Sequence, residues 1–158
     1  MTVAYSEVPT RFVEIDTWEL HSMTDLAALR SDLHRTLTGR SMPPDRRLDT
    51  LAERLVLVAS ELATNGLRHG TPPVSVRLLR DGPDIVVDVV DHSPDAAPRI
   101  AAQRAPGAGG FGLVLARRAA RDVGWFRTSA REKHVWARFD GPTPHAGATA
   151  RRAFALMR

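Results

Sequence analysis

The sequence predicts an α+β fold, a two-layer sandwich in which helices cover one face of a mixed, mostly antiparallel sheet. Three observations carry this expectation. Apolar residues recur at helical spacing between residues 48 and 62, and alternate with polar ones from 74 to 78. From 85 to 90 the chain is almost continuously apolar, as a mostly buried strand should be. The strands come as hairpin-like pairs, 74–78 with 85–90 and 125–130 with 134–140, set among helices. At 158 residues and 43% hydrophobic, the chain suits one buried core and is too apolar to be disordered throughout.

In chain order, Arg11–Trp18 reads as a strand, with Phe12, Val13 and Ile15 among charged neighbours. A helix should start at Ser22, where Ser22 and Asp25 resemble a capping box with Asp in place of Glu or Gln. Leu26, Leu29, Leu33 and Leu37 follow at helical spacing, and Gly39 can end the helix. The next helix should run from Pro44 or Asp45 to His69, with Gly70 as its stop. Leu48, Leu51, Leu55, Val58, Ala59 and Leu62 form its apolar stripe. Val74, Val76 and Leu78 share one face of a strand, Asp81-Gly82-Pro83-Asp84 makes a turn, and Ile85–Val90 is the partner strand. Residues 91–110, with three prolines and three glycines, read as a long loop, which in a compact domain is commonly functional. A helix from Phe111 to Val123 with Gly124 as C-cap, then strands Trp125–Ala130 and His134–Asp140, complete the order.

Charge and composition exclude several classes. The chain has 22 Lys plus Arg against 18 Asp plus Glu and a pI near 10.8. Three of the arginines lie in residues 141–158, which hold no acid, and removing them leaves 19 bases against 18 acids. The body is therefore near neutral, which argues against a nucleic-acid-binding domain. Without cysteine there is no disulfide, no thiolate metal site and no thiol nucleophile. The six histidines are scattered without a His-Glu-x-x-His pattern. Met1–Glu7 lacks a signal-peptide pattern and no run approaches 18 apolar residues, so no membrane contact is expected.

Three features can carry chemistry. Glu61 and Asn65 are four residues apart, roughly 40° around a helix, and flank the apolar stripe. An amide oxygen suits Mg²⁺ and a neighbouring carboxylate can take a proton, although spacing alone more often means a solvated pair beside such a stripe. Alternation puts Ile85, Val87, Val89 and Asp91 on one face, so Asp91 ends an apolar row pointing inward. There it needs hydrogen-bond donors, such as the amine of a purine base, or it caps its own turn. Gly107-Ala108-Gly109-Gly110-Phe111-Gly112-Leu113 lets backbone approach a ligand at a helix start, or is a flexible loop.

Taken together, this order resembles the GHKL (Bergerat-fold) ATPase superfamily and, within it, the bacterial anti-sigma factor serine/threonine kinases of actinobacterial type. The resemblance rests on Val58–Gly70, Val90-Asp91-His92-Ser93-Pro94, Gly110-Phe111-Gly112-Leu113 and Val135–Phe139. It implies an ATP-binding kinase domain over residues 10–140, a flexible segment 1–9 and a mobile basic tail 141–158. By position, Asn65 would hold Mg²⁺, Glu61 would act as general base, and Asp91 would accept from the adenine amine. Gly110, Gly112 and Leu113 would meet the phosphates at the end of an ATP lid. Arg68 would contact phosphate, or is a surface arginine favoured by the helix dipole. Ser93-Pro94 replaces the first glycine of the usual Asp-x-Gly-x-Gly motif, a feature that actinobacterial relatives often share. The family's supporting threonine on the last strand is matched to His134, with Thr128 as a second candidate. The resemblance further implies a cytoplasmic homodimer, with contacts sought at the first helix. It would hold a sigma factor and phosphorylate a STAS-domain antagonist. A nucleotide-dependent binding module without kinase activity is the alternative.

Overall fold

The computed structural model describes residues 3–39, 50–93 and 112–142, and in it five strands form one sheet in the order β1-β2-β3-β5-β4. The strands are β1 (Val13–Leu20), β2 (Thr71–Asp81), β3 (Asp84–His92), β4 (Asp122–Arg127) and β5 (Lys133–Phe139). Every pairing between them is antiparallel. Helices α1 (Leu26–Thr38), α2 (Leu51–His69) and α3 (Gly112–Ala119) pack on one face. The fold is the expected α+β sandwich. No described helix is long and apolar enough to cross a membrane.

Period-2 and period-3.6 patterns meet in the core. Val74, Val76 and Leu78 of β2, Ile85, Val87 and Val89 of β3, and Val135, Ala137 and Phe139 of β5 point to the helices. They meet Leu29 and Leu33 of α1 and Leu55, Val58, Ala59 and Leu62 of α2. Burying each of the Val, Leu, Ile and Phe side chains among them stabilises the fold by roughly 1.5–3 kcal/mol. The other sheet face carries a smaller cluster of Phe12, Leu79, Val86 and Trp136, flanked by Val8 and Phe126.

Local chemistry sets the helix ends. Asp25 accepts from the backbone N–H groups of His21 and Ser22 at 2.8 and 3.1 Å, which holds its carboxyl below the usual range. A 3-10 turn over Met23–Asp25 leads into α1, which ends at Gly39 in the left-handed region, φ +70°. The expected helix start at Pro44 or Asp45 is corrected: Thr50 is extended (φ −103°, ψ 154°) and the helix begins at Leu51, while Pro44, Asp45 and Leu48 lie outside the described residues. α2 is capped by Thr50, whose hydroxyl accepts from Glu53 N–H at 3.2 Å while the Glu53 carboxylate accepts from Thr50 N–H at 3.3 Å. α2 stops at Gly70, but there φ is −104°, so conformation does not demand glycine. Space does: a Cβ at Gly70 would stand 2.7 Å from the Gly66 carbonyl oxygen and 3.2 Å from the Asp91 Cβ.

Two expectations are corrected near the C-terminal hairpin. The third helix ends at Ala119, not Val123, and Gly124 is a strand residue, not a cap. Gly124 pairs with Trp136, and a Cβ on it would sit 2.6 Å from the indole carbons Cε2 and Cζ2. The glycine makes room for a large ring on the neighbouring strand. Gly124→Ala is expected to destabilise the protein by about 1–3 kcal/mol through overpacking, read as a lower midpoint in urea denaturation.

Residues 3–8, expected to be a flexible segment, make ordered contacts. Val3 is buried in the main core. Ser6 N–H donates to the Trp125 carbonyl at 2.9 Å and Trp125 N–H to the Ala4 carbonyl at 3.1 Å, a parallel bridge that covers the β4 edge. The Trp136 indole donates to the Ser6 carbonyl at 2.7 Å, and Tyr5 meets Trp125 edge to face. Residues 143–158, the bulk of the expected tail, lie outside the described residues.

Candidate functional site

The site grows from the contact between the C-terminal half of α2 and the end of β3. Gly66 is buried with no side chain to separate the two elements. A Cβ there would lie 3.2 Å from Val74 and 3.4 Å from the Asp91 Cβ. The helix backbone therefore approaches the sheet closely one residue after Asn65. Glu61 and Asn65, one turn apart, are half-buried at the border of the apolar stripe. Among the described residues neither side chain has a hydrogen-bond or ion-pair partner. Ser60 and Thr64 behave differently: Arg30 of α1 donates to the Ser60 hydroxyl at 3.2 Å, and Thr64 donates to the Ser60 carbonyl at 2.7 Å. Arg68 is exposed.

Asp91 is 4% exposed, as the alternation along β3 requires. Its Oδ2 lies 3.5 Å from the Lys133 ammonium, and its Oδ1 is buried with no hydrogen-bond partner. Burial pushes the Asp91 carboxyl above its ordinary range, against the opposing pull of the Lys133 charge and of the Ser93 backbone N–H. A buried carboxylate oxygen without a donor costs free energy, and a ligand amine would relieve that cost. Ser93 itself is buried, and its carbonyl accepts from Arg127 at 3.1 Å. Pro94 and Gly110 lie outside the described residues. Gly112 begins α3 and Leu113 follows it. The structure thus places Asp91 beside the turn of α2 that carries Asn65, and no hydrogen bond or ion pair joins Asp91 to Glu61, Asn65 or Arg68.

The match of His134 to a supporting position beside Asp91 is corrected. β5 alternates, so Lys133, Val135, Ala137 and Phe139 face the helices, while His134 and Trp136 face the other way. Lys133, not His134, lies opposite Asp91 in the β3–β5 register. Thr128 does not substitute: it is exposed, and its hydroxyl donates to Glu132 at 2.6 Å. The sequence held a signal for Lys133. It is the chain's single lysine, and it stands two residues before Val135, so the same alternation that turns Asp91 inward turns Lys133 inward.

His134 belongs to a polar network on the far face. Its Nδ1 is 2.8 Å from Asp88 Oδ2 and its Nε2 is 3.2 Å from Glu132 Oε1, and its ring stacks on Phe126 at 4.3 Å. Arg77 donates to the same Asp88 oxygen at 2.8 Å and to Glu14 at 2.7 Å. Both imidazole nitrogens face carboxylates, which only a protonated ring satisfies as a double donor. Burial lowers the His134 pKa, yet the hydrogen bonds and charges of Asp88 and Glu132 raise it above 6.5 overall. A raised folded-state pKa stabilises the fold fully below the unfolded value, and that contribution is lost as pH rises through the folded value. Wild type is therefore expected to lose its stability advantage over His134→Gln as pH rises above 6.5, in paired denaturant titrations.

A separate pocket of about 470 Å³ is lined, among the described residues, by Thr71, Pro72, Pro73, His92 and Arg131. His92 follows Asp91 and so points to the opposite sheet face, where its Nδ1 donates to the Pro73 carbonyl at 3.0 Å.

The residues fit an adenine nucleotide. Asp91 Oδ1 is a buried acceptor without a donor, Gly66 and Gly70 let the α2 backbone pack close beside Asp91, and Glu61 and Asn65 on that helix have no partner among the described residues. No curated protein matches the chain. A family model described as a histidine kinase-like ATPase domain matches residues 21–139, from the end of β1 to the end of β5. That span is well over half of the sequence and includes α2, Asp91 and Lys133, and the chain belongs to the histidine kinase-like ATPase domain family.

Proposed function

We propose that this ATPase domain is a serine/threonine protein kinase of the anti-sigma factor kind, which holds a sigma factor and phosphorylates a STAS-domain antagonist. The observation that supports it most is the placement of a half-buried Glu61, without a partner among the described residues, one turn from Asn65 on the helix that abuts Asp91. A nucleotide-binding module needs the aspartate and the asparagine, but it has no use for a base one turn away.

In this reading Asp91 accepts from the adenine amine. The Asn65 amide oxygen would hold Mg²⁺, which would neutralise phosphate charge. Glu61 accepts the proton of the attacking serine or threonine hydroxyl as its oxygen bonds to the γ-phosphorus and the bond to the ADP oxygen breaks. Gly112 and Leu113, at the start of α3, bring backbone to the phosphates, Gly110 is a further phosphate-binding residue, and Arg68 adds positive charge at the rim. The protein works as a cytoplasmic homodimer, with α1 and its neighbouring surface as the contact.

The test is labelled-phosphate transfer from ATP to a STAS-domain protein encoded beside this chain. Transfer to a serine or threonine of that protein is the expected result. Saturable ATP binding without transfer to any STAS protein would instead make the chain a nucleotide-dependent binding module.

A further inference from the structure

Lys133 has more hydrogen-bonding capacity than its neighbours use. It is 8% exposed, and an ammonium carries three donors. Among the described residues its one ionic partner is Asp91, at 3.5 Å, a long contact for a charge-assisted bond. Beside it, Asp91 Oδ1 is a buried acceptor with no donor. The pair therefore offers an empty acceptor and spare donors side by side, both on the helix-facing side of the sheet. Residues that merely neutralise each other close up on each other; these two leave complementary valences open.

Adenine presents the matching edge. Its exocyclic amine donates, and the ring nitrogens N1 and N7 on either side of that amine accept. We propose that Lys133 is a base-reading residue: with Asp91 accepting from the amine, the Lys133 ammonium donates to the ring nitrogen next to it. This rests on the adenine-nucleotide reading of the site and extends it to a residue that reads the base. Lys133 thereby acts on the ligand directly and does more than hold Asp91 in its charged form. The two roles differ in what they predict. A counter-ion affects every ligand that uses Asp91 equally. A base reader affects only ligands that possess the ring acceptor.

The experiment titrates Mg-ATP, Mg-1-deaza-ATP and Mg-7-deaza-ATP calorimetrically into wild type, Lys133→Met and Lys133→Gln. Thermal melts without nucleotide establish that each variant is folded. Wild type should bind ATP about ten- to a hundredfold more tightly than one of the two deaza analogues, the size of a hydrogen bond from a charged donor. In Lys133→Met that gap should close, because ATP loses affinity while the insensitive analogue does not. Two results overturn the proposal. One is equal wild-type affinity for all three nucleotides, which needs no variant to interpret. The other is a gap that persists undiminished in Lys133→Met, which has no donor, and this places the donor elsewhere; Lys133→Gln, whose amide N–H can still donate, should keep part of the gap. Absence of binding by all three nucleotides to wild type is a different failure, that of the adenine-nucleotide reading itself.

Discussion

Glu61→Gln is expected to slow phosphate transfer by about 10²–10⁴-fold while leaving Mg-ATP affinity within about twofold. The expectation follows from where Glu61 sits. It is half-buried on α2, one turn before Asn65 and without a partner among the described residues, so the amide of the variant disturbs no packing and breaks no ion pair. What it removes is the ability to take a proton. A loss confined to the rate, with nucleotide binding retained, is the pattern of an interaction made only in the transition state. Single-turnover transfer measured beside calorimetry separates the two quantities. A variant that transfers phosphate at the wild-type rate would mean that Glu61 is a solvated residue at the edge of an amphipathic helix.

Asp91→Asn is expected to weaken Mg-ATP binding by about ten- to more than a hundredfold, from the roughly 1.5–3 kcal/mol of a hydrogen bond to a charged group. The amide keeps the shape at a position packed against Gly66 and Gly70. It cannot offer an acceptor both to Lys133 and to a base amine, so one of the two is left facing an NH₂ group. The same carboxyl also sets a pH dependence. Burial raises its pKa despite Lys133. Relative to the unfolded chain, folding favours its protonated form, so its contribution to stability is greatest at low pH and is lost as pH rises through the folded value. Nucleotide binding runs the other way, because protonation fills the acceptor. ATP affinity should therefore decline on acidification at a pH above the ordinary carboxylate range, and Asp91→Asn should show no such decline.

Much of the fold was legible because its two periodicities are clean. The leucines of α1, the stripe of α2 and the alternation in β2 and β3 each assign one element and its buried face. The inward Asp91 came from the same count. The C-terminal hairpin was harder to read. Gly124 looks like a helix cap because a glycine after an apolar run usually is one. Its actual role, making room for Trp136, depends on a cross-strand neighbour twelve residues away that a local pattern does not contain. The docking of residues 3–8 onto Trp125 and Trp136 is equally non-local. The error at His134 is of another kind. His134 stands one residue from the position opposite Asp91, and in a strand one residue is the difference between the two faces of the sheet. Counting back from Val135 by twos would have chosen Lys133.

The expected protein partners rest on resemblance alone. Nothing in a helix stripe or a buried aspartate specifies a sigma factor, a STAS protein or a second copy of the chain, whereas the nucleotide site has residues whose chemistry can be weighed one by one. The central claim is accordingly the simplest: this chain binds an adenine nucleotide with Asp91 against the base. Calorimetric titration of Mg-ATP into wild type and Asp91→Asn, both shown folded by thermal melting, tests it most directly. The account predicts saturable one-site binding by wild type and a loss of about tenfold or more in the variant. No heat of binding with wild type, or equal affinity in the two proteins, would contradict it.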